Sequence, residues 1–301
     1  MSTECKHCGN ELIPGNIKCP VCGRYNVAPH RDREAVFMSL SDAPPVEKNR
    51  LCRKAWWAHI FGGGFVYRQC LLVGGQAGCG KSTWALQVGE WVYRETKLPT
   101  LYLASEEAPE DIRERADRMG VDTDAFIIPV VQPDQMLACL EEEEEFGLVI
   151  VDSVPDFTGH NPNEAVDLLK RLKEYSKERG TPTFCIDHVN KGEELAGLER
   201  MKHVVDTTVL IEGTVDEPDY QMRVMKNRFG QGNKVMRLIM RGEDDENPGT
   251  VHPNEEDLEK YKKEAAKREA RKAAAKARKK GHVTAVKVLR TAKKKSTRKL
   301  K

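Results

Sequence analysis

No apolar run in this sequence approaches the roughly 18 residues that a bilayer-spanning helix needs. The opening residues Met1-Ser2-Thr3-Glu4-Cys5 also lack the apolar stretch of a secretory signal. Both absences argue against a membrane role, and a cytoplasmic location is expected. Aromatic residues are scarce, 6% of the chain against 32% charged, which fits a globular body with a polar appendage. Cysteine is present nine times, an odd number. In a chain without an export signal this argues against a disulfide framework and for reduced thiols or metal ligands. Acidic residues are nearly absent from one end: residues 260–301 hold 19 Lys/Arg against 2 Asp/Glu, whereas residues 1–259 hold 30 against 45. The formal charge of +2 therefore hides an acidic body and a basic tail, a segregation that points to nucleic acid or another polyanion as partner.

At 301 residues the chain accommodates one main domain with small attachments. Four segments follow from composition: a cysteine-rich head over 1–27, a polar linker over 28–55 containing Pro29, Pro44 and Pro45, a core over 56–242, and a basic tail over 243–301. In the core, β-type runs at Cys70 to Val73, Thr100 to Ala104, Phe126 to Val131, Leu148 to Asp152 and Thr183 to Asp187 alternate with helical patterns such as Pro109 to Met119 and Asn163 to Glu178. The alternation predicts an α/β fold, a mostly parallel sheet covered by helices on both faces. Later runs at Val209 to Glu212, Gln221 to Met225 and Lys234 to Met240 show no helical pattern between them, and are expected as antiparallel strands at one edge. The tail up to Lys280 is rich in Ala, Lys, Arg and Glu and favours helix.

In the head, Cys5-x2-Cys8 and Cys19-x2-Cys22 place four thiols on two tight knuckles. The spacing suits one tetrahedral Zn²⁺, and a closed four-thiolate site of that kind is structural because it leaves no position for water.

The core carries "GGQAGCGKST", residues 74–83, after the apolar run Leu71-Leu72-Val73 and before an amphipathic helix with Trp84, Leu86, Val88, Trp91 and Val92. This meets G-x4-G-K-[ST] in the strand–loop–helix context that gives the pattern its mechanism. Gly75, Gly78 and Gly80 let backbone N–H groups wrap phosphates, and the helix N-terminus adds its dipole. Lys81 would reach the β- and γ-phosphates of ATP, the Ser82 hydroxyl would bind Mg²⁺, and Thr83, the next residue, is a further candidate nucleotide contact. "LVIVDS" ends a buried-type strand on Asp152, the acid expected to hold Mg²⁺ with Ser82. Glu106 and Glu107, closing "LYLASEE", are candidates for orienting the attacking water; acidic residues in front of Pro109 would also suit a helix N-terminus.

The order of "FGGGF", "GGQAGCGKST", "LYLASEE", "LVIVDS", "DHVNKGEELAG" and "KNRFG", behind a four-cysteine ribbon, strongly resembles the bacterial RadA (Sms) DNA-repair ATPases over roughly residues 1–242. The resemblance implies a zinc ribbon followed by a RecA-like motor, assembled as hexamers or another ring or filament. Such a motor binds single-stranded or branched DNA, drives branch migration or helicase-like translocation, and works with recombination or replication proteins. It further implies that Glu106 is the catalytic glutamate with Glu107 as close alternative, and that His188 senses the γ-phosphate. Lys191 to Met201 would form a DNA-facing loop, and Lys226 and Arg228 would reach toward a neighbour's nucleotide. Two departures stand out: the basic tail follows where the family continues into a Lon-protease-like domain, and "PGNIKC" replaces the family's Trp and Gly before the third cysteine. The competing functions are a DnaB-like replicative helicase and a nucleotide-gated DNA-binding or loading module without motor activity.

Overall fold

The computed structural model describes residues 21, 50–131, 133–141, 144–188, 194–213, 220–242, 245, 247–271 and 273–274. The four cysteines of the expected ribbon, Cys5, Cys8, Cys19 and Cys22, lie outside the described residues. The chain divides into two units, Met1–Asn254 and Glu255–Lys301.

The first unit opens with a small antiparallel pair, β1 (Arg50–Leu51) and β2 (Phe65–Val66), joined through α1 (Ala58–Phe61). An alternating series follows: β3 (Cys70–Gly75), α2 (Lys81–Thr96), β4 (Thr100–Ala104), α3 (Pro109–Arg118), β5 (Phe126–Ile127), α4 (Pro133–Met136), β6 (Leu148–Asp152), α5 (Val154–Phe157), α6 (Pro162–Arg179), β7 (Thr183–His188), α7 (Glu194–Val204) and β8 (Thr207–Glu212). β9 (Gln221–Asn227), β10 (Lys234–Met240) and β11 (Val251–Pro253) complete it. The nine-stranded sheet has the order β11-β10-β9-β8-β3-β7-β6-β4-β5. From β8 to β5 the neighbours are parallel, while β9, β10 and β11 are added antiparallel at the β8 side.

Every residue of β3 and β4 is buried, the pattern of strands covered on both faces. On one face Cys70, Leu72, Leu101, Leu103, Val149, Val151 and Cys185 pack with Ala165, Leu168, Leu169 and Leu172 of α6. On the other, Trp84 of α2 is fully buried, with its ring 5.2 Å from Phe184 and 6.1 Å from Phe61. An indole of that size removes roughly 200 Å² from water, worth about 5 kcal/mol before ordering costs. The helix ends follow local chemistry. The Asn161 side chain accepts from the Asn163 N–H in front of Pro162, and Gly180 closes α6 in the left-handed region at φ 77°, beside Lys177 and Arg179. Among the described residues no helix is long and apolar enough to cross a membrane.

Three expectations are corrected. The run Val209 to Glu212, expected as antiparallel, is the parallel strand β8 beside β3, because α7 supplies the crossover that parallel pairing requires. Of the segment Lys191 to Met201, expected as a loop, residues 194–201 are helical. The strand expected over Phe126 to Val131 stops at Ile127, since Pro129 cannot donate to a ladder and restricts Ile128 before it. In the second unit the chain is helical over 255–271, with Glu259–Lys262 and Glu264–Arg268 pairs along it.

Candidate active site

The parallel register gathers four strand ends. Gly75 of β3 lies opposite His188 of β7, and Ala104 of β4 lies opposite Asp152 of β6. The segments leaving these strands meet at the carboxyl edge of the sheet, where open α/β sheets bind ligands.

The loop after β3 turns on glycine for two separate reasons. Gly80 sits at φ 85° and leads straight into α2, whose first residue is Lys81. At Gly75 a Cβ would lie 2.6 Å from Cys79 Sγ and 2.8 Å from the Ile211 carbonyl oxygen, so only glycine lets the loop close against β8. Around Gly78 the loop is open: a Cβ there would meet nothing within 4 Å. The first-turn N–H groups of α2 have no acceptor within the helix and carry its positive dipole end. The Tyr220 hydroxyl, at the start of β9, donates to the Cys79 carbonyl at 3.0 Å and ties down the back of the loop.

Lys81 is buried, and its Nζ donates to the carbonyls of Gly75 (2.8 Å) and Gln76 (2.7 Å). Burial lowers its pKa, and the charges of Asp152, Asp187 and Glu106 oppose that shift. Burial in turn raises the Asp187 carboxyl to about 6, with Lys81 as the compensating charge. Asp152 accepts from the Tyr102 hydroxyl at 2.6 Å through Oδ2, and no hydrogen bond among the described residues occupies its Oδ1. Burial, then the Asp152 charge, hold the Tyr102 phenol protonated well above its ordinary range, so it acts as a fixed donor. The available donor set is a hydroxyl on Ser82 in the first turn of α2 and a carboxylate oxygen on Asp152, hard oxygens of the kind Mg²⁺ takes. With the open glycine loop in front of them, these residues fit a Mg²⁺-bound nucleotide triphosphate. Thr83 follows in the same turn and is half-buried.

The two glutamates part company. Glu106 stands beside Asp156 and His188, their ligand atoms all within 4.8 Å of one another. Nε2 of His188 is buried without a hydrogen bond, 3.5 Å from Glu106 Oε1. Burial and the nearby Lys81 depress the pKa of His188 and favour the neutral ring. Glu107 is bound instead to Arg115 of α3 at 2.5 Å. Glu106 is thus the carboxyl that faces the shared edge with Lys81, and Glu107 is committed to a helix.

Lys226 and Arg228 lie at the other end of the sheet. Lys226 pairs in register with Thr208, near the start of β8, whereas Gly75 pairs with Ile211 at its far end. On β3 the partners of Thr208 and Ile211 are Leu72 and Gly75, three residues and about 10 Å apart along the strand. Lys226 Nζ donates to the carbonyls of Lys202 (2.6 Å) and Val205 (2.8 Å), where a cation suits the C-terminal dipole of α7. Arg228 Nη1 is 3.2 Å from Asp206 Oδ1. Neither side chain is brought to its own chain's phosphate loop.

Sequence reasoning missed Tyr102, Asp156, Asp187 and Tyr220. Tyr102 and Asp187 sit inside motifs quoted from the sequence, where their buried, polar character in a strand was the available signal. Nothing local marks the approach of Asp156 to Glu106, 50 residues earlier, or that of Tyr220 to Cys79, 141 residues earlier.

A strand–loop–helix phosphate cradle, an acid two strands away and a glutamate on the next strand end define a P-loop protein with a RecA-like sheet. The family profile described as "AAA domain" matches residues 35–194, more than half of the chain, and the chain belongs to that family. It is similar to the DNA repair protein RadA of Aquifex aeolicus, with 29% identity over 250 residues covering 77% of this chain and 56% of that protein. The RadA of Bacillus subtilis is 28% identical over 268 residues (79% and 57%), and that of Streptococcus pyogenes 32% over 256 residues (77% and 55%). The chain therefore spans a little over half the length of these relatives. Among solved structures, a KaiC-like protein of Pyrococcus horikoshii shares the fold, with TM-score 0.55, 17% identity, and coverage of 68% of this chain and 100% of that one.

Proposed function

We propose that the protein is an ATP-hydrolysing, DNA-acting motor of RadA kind, serving recombination or repair, whose active site is completed by a neighbouring subunit. The observation that carries this reading is the division of labour within one chain: Lys81, Ser82, Asp152 and Glu106 share the carboxyl edge of the sheet, while Lys226 and Arg228 stand at the opposite edge. A ring or filament that apposes those edges would let the two cations serve a neighbour's nucleotide.

Mg²⁺ held by Ser82 and Asp152 would neutralise phosphate charge when bound. Lys81 exchanges its carbonyl contacts for phosphate oxygens, and the N–H groups of the loop and of the first turn of α2 hold the chain of phosphates in line. Glu106 takes a proton from a water placed opposite the leaving group, and His188, neutral and adjacent, marks the γ-phosphate end. The four thiols of Cys5, Cys8, Cys19 and Cys22 would hold one structural Zn²⁺. The basic tail and the segment before α7 are the candidate DNA contacts.

ATP turnover measured without DNA and with single-stranded, forked and junction DNA tests this reading. DNA-stimulated turnover that disappears in Lys81→Ala supports it. Unstimulated background turnover in protein that binds both ATP and DNA would leave the switch-type binding module in its place.

A further inference from the structure

Asp156 lies one turn beyond Asp152, and two hydroxyls converge on its carboxylate. Ser153 Oγ donates to Asp156 Oδ2 in a short contact, and Ser105 Oγ lies 3.5 Å from the same oxygen. Ser105 is itself fixed, since its N–H and hydroxyl both donate to the Asp152 carbonyl (2.8 and 2.9 Å) and its Oγ accepts from the Ser153 N–H at 3.0 Å. These bonds lock the end of β4 to the end of β6 and set Asp156 against Glu106, the next residue after Ser105. His160 Nε2 approaches the far side of Asp156 at 3.9 Å, and His188 approaches Glu106 at 3.5 Å.

Two carboxyls this close cannot both ionise cheaply. The one that receives hydroxyl donors keeps the charge, and the other takes the proton. Asp156 titrates below its ordinary value although burial pushes the other way, because Ser153 and Glu106 donate to it. Glu106 is raised to about 7, first by its hydrogen bond to Asp156, then by burial and by the charges of Asp156, Asp152 and Glu107. Lys81 on α2 and His188 on β7 are the other ionisable groups facing this cluster, and Arg115 on α3 pairs with Glu107.

We propose that Asp156 is a positioning residue that holds Glu106 at the site and, by sharing a proton with it, withholds the base until that proton leaves. This rests on the reading of Glu106 as the proton-accepting carboxylate. Below about pH 7 the shared proton stays between the two carboxyls and Glu106 cannot accept another. Above it Glu106 is free to act. Hydrolysis is thereby tuned to fall off as the surroundings turn slightly acid, a response that a lone glutamate with an ordinary pKa would not give at this pH.

The test is the pH dependence of kcat for ATP in the full chain with Mg²⁺, between pH 5.5 and 9. The nucleotide's own titration is common to all variants and cancels in the comparison. In the wild type the acid limb should be centred near 7. In Asp156→Asn, which keeps the acceptor for Ser153 and removes the charge, the limb should move down by more than one pH unit. At pH 6 the variant would then retain roughly tenfold more of its plateau rate than the wild type retains of its own. KM for ATP should change little. Ser153→Ala, which weakens the hold on the Asp156 charge, should move the limb in the same direction by less, and carries the test if Asp156→Asn fails to fold. Limbs that coincide in wild type and variants overturn the proposal, as does a folded Asp156→Asn protein that is inactive at every pH. Glu106→Gln separates the two levels: undiminished turnover there removes the base assignment itself, whereas loss of turnover with coincident limbs removes only the role of Asp156.

Discussion

Asp206→Ala should be among the most destabilising substitutions in the ATPase domain that leave the nucleotide residues untouched. Asp206 is buried at the start of β8, and its carboxylate serves three elements at once. Oδ1 is 3.0 Å from Lys173 Nζ of α6 and 3.2 Å from Arg228 Nη1, and Oδ2 accepts from the Cys70 N–H of β3 at 3.1 Å. Removing it leaves a buried ammonium with only the Val204 carbonyl, 2.6 Å away, and leaves the Cys70 N–H without its side-chain acceptor. Breaking one partner of a buried pair costs about 3–5 kcal/mol. For a domain of about 200 residues that is a loss of Tm on the order of 10 °C. The pair is shielded from solvent, so 0.5 M salt should change the loss little. Replacing both charges by apolar groups, in Asp206→Ala with Lys173→Met, should recover most of the stability, because no uncompensated charge then remains. Urea and thermal denaturation of the single and double variants decide it. A single variant within about 1 kcal/mol of wild type, or a double variant as unstable as the single, would mean that the Lys173 charge is not what Asp206 stabilises.

Three further outcomes are expected. Mixing Lys81→Ala chains with Lys226→Ala chains should restore part of the ATPase activity that each lacks, since some interfaces then join an intact phosphate loop to an intact finger; no recovery in demonstrably mixed assemblies would place Lys226 within its own chain's function. Metal analysis should find one Zn²⁺ per chain, lost in Cys5→Ser or Cys22→Ser. Truncation after Ala274, which removes 12 of the 19 tail cations and spares every described residue, should leave basal turnover intact while weakening DNA binding and flattening its salt dependence. If the intact tail neutralises about 6 phosphates, affinity should fall on the order of 10³-fold between 50 and 200 mM salt, and equal slopes with and without the tail would make it a solubility segment.

What the sequence made legible was local. The phosphate loop is ten consecutive residues between an apolar run and an amphipathic helix, and Asp152 ends a strand of four apolar residues, so both could be assigned without knowing what packs against them. The direction of β8 could not, because it depends on whether the preceding segment is a crossover helix, and Gly197 among charged residues gave α7 a weak helical signal. The preference for Glu106 over Glu107 came from the family resemblance alone, and its physical basis was hidden. It turns on Arg115, one face of a helix further on, and on Asp156, brought in only by the β4–β6 register. Lys226 and Arg228 stood out through the "KNRFG" motif, yet their engagement with the end of α7 and with Asp206 is a tertiary fact with no sequence counterpart.

Single-turnover hydrolysis by Glu106→Gln and Glu107→Gln, with nucleotide binding measured alongside, decides whether this P-loop site hydrolyses ATP with Glu106 as its base. Both variants should bind ATP like the wild type. Glu106→Gln should hydrolyse it roughly 10² to 10⁴-fold more slowly, and Glu107→Gln should stay within a few-fold of wild type. Hydrolysis that survives in Glu106→Gln and collapses in Glu107→Gln would assign the base to Glu107 instead.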